Sequence, residues 1–239
     1  MVRYIAITLL ALLGTLTGCV NSDDSHSNGD KDDQTSEGTS THTVNGSIRV
    51  KAGEKKDDLS TVNGSIHIDD NAVVAGAQTV NGSITLGAHT TAQSLTTVNG
   101  SITLSDGANV AHSISAVNGR LTLHAGADVG GTLTNVNGQI LLQGAHVGGG
   151  IKTVGGDIDI GSNSRVEGGI LVKKERTQIF WFFQWNSSDT PRIVIGPGSV
   201  VQGDLHFERR VLLYVSDSAT IGPVIGATAV KFAGETPPG

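Results

Sequence analysis

Asp157 and Asp159 are the residues whose type and spacing best suit chemistry. They lie on one face of an expected strand, about 6.8 Å apart at a rise of two residues. Two carboxyls so placed suit an inverting glycoside hydrolysis, one as acid and one as base to a water. The neighbouring repeats argue otherwise. The same columns hold Gln139 and Leu141 one repeat earlier, and Arg192 and Val194 one repeat later. No third carboxylate joins the pair, so plain solubility accounts for both acids. The eight histidines, His26, His42, His67, His89, His112, His124, His146 and His206, fall at different positions within the repeats. No HExxH, CxxC, EF-hand loop or P-loop occurs, so neither a metal nor another cofactor is expected. Ser47, Ser65, Ser83 and Ser101 do form a column. A nucleophile needs one activated copy with a base beside it, and four equal copies read as repeat chemistry. These patterns give no argument for an enzyme.

One reactive side chain remains, and it lies at the other end of the chain. Cys19 is the single cysteine, so no internal disulfide forms. Arg3 supplies a positive start, an apolar run of residues 5–13 follows, and Leu16-Thr17-Gly18-Cys19 closes the segment. The apolar run is too short for a permanent membrane span and fits a secretory leader. The Leu-Thr-Gly-Cys ending resembles the lipobox of bacterial lipoproteins. The resemblance implies cleavage before Cys19 and a diacylglycerol on its thiol, with palmitate-type chains. Several acyl chains on one residue anchor stably where one would be marginal. Val20, not Asp, follows the cysteine, which in lipoproteins of this type implies the outer membrane. Whether the protein faces the periplasm or the outside is left open. Residues 20–42 carry Asp23, Asp24, Asp30, Asp32, Asp33 and Glu37 among Ser, Thr, Gly and Asn. Such a segment has almost nothing to bury and is expected to be a disordered tether. Its r.m.s. reach is roughly 25–30 Å.

The body, residues 43–239, must be built from short elements. The chain holds 33 glycines and 5 prolines, with aromatics at only 4%. Collagen, which needs glycine at every third position and abundant proline, is excluded. The net charge of -6 argues against nucleic acid as a partner.

Thr43-Val44-Asn45-Gly46-Ser47-Ile48 returns at Thr61, Thr79 and Thr97, then in altered form at Ala116, Asn135 and Thr153. The steps are 18, 18, 18, 19, 19 and 18 residues, the signature of a solenoid. Within each copy Val44, Ile48 and Val50 and their equivalents read as the inward column of a half-buried strand. Gly126-Ala127-Asp128-Val129 and Gly144-Ala145-His146-Val147 mark a second segment, and Leu133 and Ile151 a third. Three short strands and three bends per coil predict an all-β, single-stranded parallel β-helix, right-handed and triangular, of about nine coils of 18–19 residues. The Asn-Gly pairs are placed at a corner, with positive φ expected there. Asn45, Asn63, Asn81, Asn99, Asn118 and Asn137 are expected to stack as an amide ladder. Val230 and Phe232 are expected to start an end cap.

An offset of 35 residues relates Asp157-Ile158-Asp159-Ile160 to Arg192-Ile193-Val194-Ile195, one coil plus a 17-residue insertion at 173–189. The insertion carries Phe180, Trp181, Phe182, Phe183 and Trp185, five of the nine aromatic residues. Two readings stand. The loop is a cap over solenoid edges, or it is a contact for a glycan, an envelope protein or a membrane interface. Trp181→Ala with Trp185→Ala separates them: unfolding marks a cap, and lost binding with an intact fold marks a contact.

Ile193-x-Ile195-Gly196, Val201-x-Gly203-Asp204-Leu205 and Ala219-x-Ile221-Gly222 resemble bactofilins, polymer-forming bacterial β-helix proteins. That resemblance implies a right-handed triangular helix and end-to-end self-association without nucleotide. Bactofilins act in the cytosol, whereas the leader here directs such a body to the cell envelope. The expectation is a lipid-anchored structural or scaffolding protein. The alternative is an adhesin-like or glycan-binding module, and a polysaccharide lyase or hydrolase ranks last.

Overall fold

The computed structural model describes residues 39–174 and 190–237. The leader, Cys19, most of the expected tether and the aromatic residues of the insertion therefore lie outside the described residues. Those described fall within one compact unit, residues 36–239. Among them every element is a strand and every pairing is parallel. The unit is a parallel β-solenoid, as the repeat predicts, with about ten coils where about nine are expected.

Each coil crosses three faces. The first holds ten strands, from Ile48–Val50 and Ile66–Ile68 through Ile158–Ile160 and Arg192–Ile195 to Ala229–Phe232. The second and third share one sixteen-stranded sheet. They run as single nine-residue strands at Lys55–Asn63, Val73–Asn81 and Thr91–Asn99. From the fourth coil each divides into two pieces, such as Asn109–Val110 and Ile114–Asn118. Register follows the sequence columns: Ile66 pairs with Ile84, Ile84 with Ile102, and Ile102 with Leu121. The 35-residue offset is also correct, because Ile158 pairs with Ile193 and Ile170 with Leu205. Backbone N–H and C=O groups are thus satisfied between coils, and side chains alternate into the core.

The core is aliphatic. Ile66, Ile68, Leu86, Leu104, Leu121, Leu133 and Ile151 are fully buried. Branched chains of similar size stack directly on their counterparts one rung away, and aromatics enter the narrow interior only in the last coils, at Phe207 and Phe232.

Five expectations need correction. The repeat's valine does not point inward: Val44 is 49% exposed, and Val62, Val80 and Val98 are half-buried. The threonine before it faces the core instead, with Thr61, Thr79 and Thr97 buried. The corner glycines are needed mainly for closeness, not for positive φ. Among the repeats' Asn-Gly glycines only Gly46 and Gly138 have φ in that region. A Cβ on Gly64, Gly82 or Gly100 would lie 2.0, 1.9 or 1.9 Å from the carbonyl oxygen of the glycine one rung below. Val230 and Phe232 belong to a tenth rung, paired with Tyr214 and Ser216, and do not begin a cap. Thr41 and His42, assigned to the tether, are already in a strand with Leu59 and Ser60. Lys173, counted with the insertion, still bonds from its N–H to Thr153 O at 2.9 Å, so it belongs to the coil.

Positive φ has its own column, at the corner between the first and second faces. Gly53, Asn71, His89, Gly107, Gly126, Gly144, Asn163 and Gly198 have φ from 55° to 72°. Glycine accepts this region freely, and Asn and His more readily than most residues.

Candidate functional site

The most ordered chemistry on the surface is the corner between the third and first faces. Three columns of the Thr-Val-Asn-Gly-Ser repeat converge there. Thr61 Oγ1 donates to Gly46 O at 3.0 Å, Thr79 Oγ1 to Gly64 O at 2.9 Å and Thr97 Oγ1 to Gly82 O at 3.1 Å. The buried hydroxyl caps a carbonyl that the sharp corner leaves off the ladders, which is why threonine takes the inward place. Each serine of the column accepts the next rung's backbone N–H, as Ser47 Oγ does from Ser65 N at 3.2 Å. Such hydroxyls are structural acceptors, not nucleophiles.

The asparagines stack. Asn63 Nδ2 donates to Asn45 Oδ1 at 2.9 Å, and Asn81 and Asn99 continue at the same distance. Asn118 donates at 3.0 Å and Asn137 at 3.2 Å. One amide gives and takes on successive rungs, so the six form one continuous ladder.

Asp157 and Asp159 have separate surroundings. Asp157 Oδ1 accepts the Arg192 backbone N–H at 2.8 Å, doing the work of the serine column in that same column, three rungs after Ser101. Asp159 pairs in register with Leu141 and Val194. Burial pushes its carboxyl above the ordinary value, against the pull of the Arg192 guanidinium. Asp159, Arg192, Leu141 and Val194 line an open groove of about 420 Å³, with residues 235–237 along its side. The Arg192 guanidinium also sits 5.2 Å from the Tyr214 ring centre. This groove has an apolar floor and one acid of raised pKa, but the second acid is committed to a backbone amide.

A second polar cluster, on the second face, escapes sequence reasoning. His146 Nδ1 lies 2.5 Å from Asp128 Oδ1, and its Nε2 lies 3.4 Å from Glu167 Oε1. Arg165 reaches the same Glu167 oxygen at 3.5 Å. The signal was present, because Asp128 and His146 take the same place in two successive Gly-Ala-x-Val segments. Both imidazole nitrogens are engaged and all four groups are well exposed, so the cluster reads as surface pairing. Among the described residues no group of three His, Cys, Asp or Glu side chains is placed to hold a metal.

The insertion leaves after Lys174 and returns at Thr190, at the same corner that carries the asparagine ladder. Phe180, Trp181, Phe182, Phe183 and Trp185 lie outside the described residues. No known family, curated protein or solved structure matches this chain. The class its fold defines is the parallel β-solenoid.

Proposed function

We propose that this is a lipid-anchored scaffolding protein of the cell envelope, which presents a rigid solenoid and associates through the solenoid's ends. The lipobox-like ending at Cys19 and the acidic stretch after it supply the anchor and the reach. The observation that carries the reading is the open last rung. Ala229–Phe232 and Val224–Ile225 each have one strand neighbour among the described residues. Val230 is 50% and Ile225 48% exposed there. Apolar strand edges of this kind are templates for another strand. The first rung offers a complementary parallel edge at Ile48–Val50. Head-to-tail stacking of identical rods joins one edge to the other and does not close on itself. This is the assembly that the bactofilin-like motifs imply.

The anchor is tested by metabolic labelling with palmitate and membrane fractionation. Label on the wild-type chain, lost in Cys19→Ser together with membrane association, is the expected result. An unlabelled wild-type chain in the soluble fraction would remove the anchor from the proposal.

A further inference from the structure

The solenoid's six Asn-Gly pairs are chemically alike in sequence and unlike in structure; a seventh, Asn28-Gly29, lies outside the described residues. At such a pair the glycine amide nitrogen can attack the asparagine Cγ. The new N–Cγ bond closes a five-membered succinimide, the Cγ–Nδ2 bond breaks, and ammonia leaves with the amide proton. Water then opens either carbonyl and gives aspartate or isoaspartate. The reaction needs a free glycine N–H and a side chain able to turn toward it.

The ladder withholds both. For Asn63, Asn81, Asn99 and Asn118, Nδ2 donates to the rung below and Oδ1 accepts from the rung above. The following N–H groups, of Gly64, Gly82, Gly100 and Gly119, donate to the next asparagine's carbonyl at 3.0–3.1 Å. Each interior site is therefore held by three hydrogen bonds. Asn45, at the first rung, keeps two: its Oδ1 accepts from Asn63, and Gly46 N donates to Asn63 O at 3.0 Å.

Asn137 differs because Gly155 occupies the next place in the column. No amide follows to donate to its Oδ1. Among the described residues, Gly138 N makes no hydrogen bond of ordinary geometry. Its φ of 133° sets it apart from the corner glycines at 64, 82, 100 and 119. Of the three bonds that hold each interior site, only the one from Asn137 Nδ2 to Asn118 Oδ1, at 3.2 Å, remains here.

We propose that Asn137-Gly138 is the solenoid's site of spontaneous deamidation and isoaspartate formation, and that the amide ladder protects the other pairs. Rates should rank Asn137 first, Asn45 second and the four interior sites last. A difference of two hydrogen bonds sets a ratio of about tenfold or more between Asn137 and the interior. The product carboxylate cannot donate to Asn118 Oδ1, and isoaspartate lengthens the backbone where Asn137 bridges Gly155. The modification would thus loosen the contacts among the altered repeats, where the asparagine ladder ends.

The test ages the full-length chain in mildly alkaline buffer and maps aspartate and isoaspartate by peptide mass spectrometry, with a denatured sample as control. In the denatured chain the six sites should converge. In the native chain Asn137 should lead the six solenoid sites, and Gly155→Asn should slow it and move the fastest of the solenoid's sites to the introduced asparagine. Uniform native rates, a lead at Asn45, or an interior site ahead of Asn137 would overturn the proposal. Should Gly155→Asn not fold, the wild-type rank order decides alone.

Discussion

Asn135 stands in the column that Thr61, Thr79, Thr97 and Thr153 share, with Ala116 one rung before it. Its Nδ2 donates to Gly119 O at 2.8 Å, as a threonine would, and also to Gly138 O at 3.1 Å. The second bond takes the acceptor that Thr153 should cap. The result, among the described residues, is two buried polar atoms without partners, Asn135 Oδ1 and Thr153 Oγ1. Asn135→Thr should repair both at once. A threonine there caps Gly119 O, frees Gly138 O for Thr153 Oγ1, and leaves no amide oxygen behind. Two hydrogen bonds replace two, and two orphans disappear. At about 1 kcal/mol or more for each buried orphan, the variant should gain about 2 kcal/mol. For a fold of this size that is a rise in Tm of roughly 4–8 °C. Thermal melts followed by circular dichroism, with urea unfolding beside them, read the change. Thr79→Val, which removes the donor to Gly64 O at constant shape, should lose about 1–2 kcal/mol in the same assays. An Asn135→Thr chain that melts at or below wild type would refute the assignment of threonine as the corner's cap.

Other outcomes follow from the same geometry. Gly82→Ala places a Cβ 1.9 Å from Gly64 O, a backbone atom that cannot turn aside, and should cost at least about 3 kcal/mol. Gly53→Ala meets nothing within 4 Å but sits at φ +72°, and should cost only about 1–2 kcal/mol, so chemical denaturation should separate the two clearly. Asp159 titrates above its ordinary 3.8 in the folded chain because burial disfavours its charge. The folded state then holds a proton that the unfolded state has lost. Stability therefore falls as pH rises from the unfolded value through the folded one. Asp159→Asn should be more stable than wild type at neutral pH and equal to it below pH 3.8, as urea midpoints across that range would show.

The parts of the fold legible in sequence are those that repeat with the strand period. Ile66 and Ile68, Ile84 and Leu86, and Leu121 and Leu123 alternate with polar residues, and all are buried. The register across the insertion was equally readable, because an offset that preserves two strand patterns leaves no other pairing. Hydrophobicity misled at Val62, because a buried hydroxyl on Thr61 that caps a carbonyl outweighs the greasier neighbour. Conformational preference misled at Gly64, where the constraint is contact between rungs and appears only once the coils are stacked. The true positive-φ column was harder to see, since Asn71, His89 and Asn163 share a backbone state and not a side-chain type. The separate roles of Asp157 and Asp159 depend on a backbone amide and a guanidinium from a coil 35 residues later.

The proposal that the solenoid's ends associate is tested most directly by negative-stain electron microscopy of the chain begun at Ser22, without lipid. Filaments built from head-to-tail rods are expected, and Ile225→Lys with Val230→Lys should reduce them to single particles by placing charge on the exposed last rung. Single short rods at high concentration in the wild-type chain would contradict it.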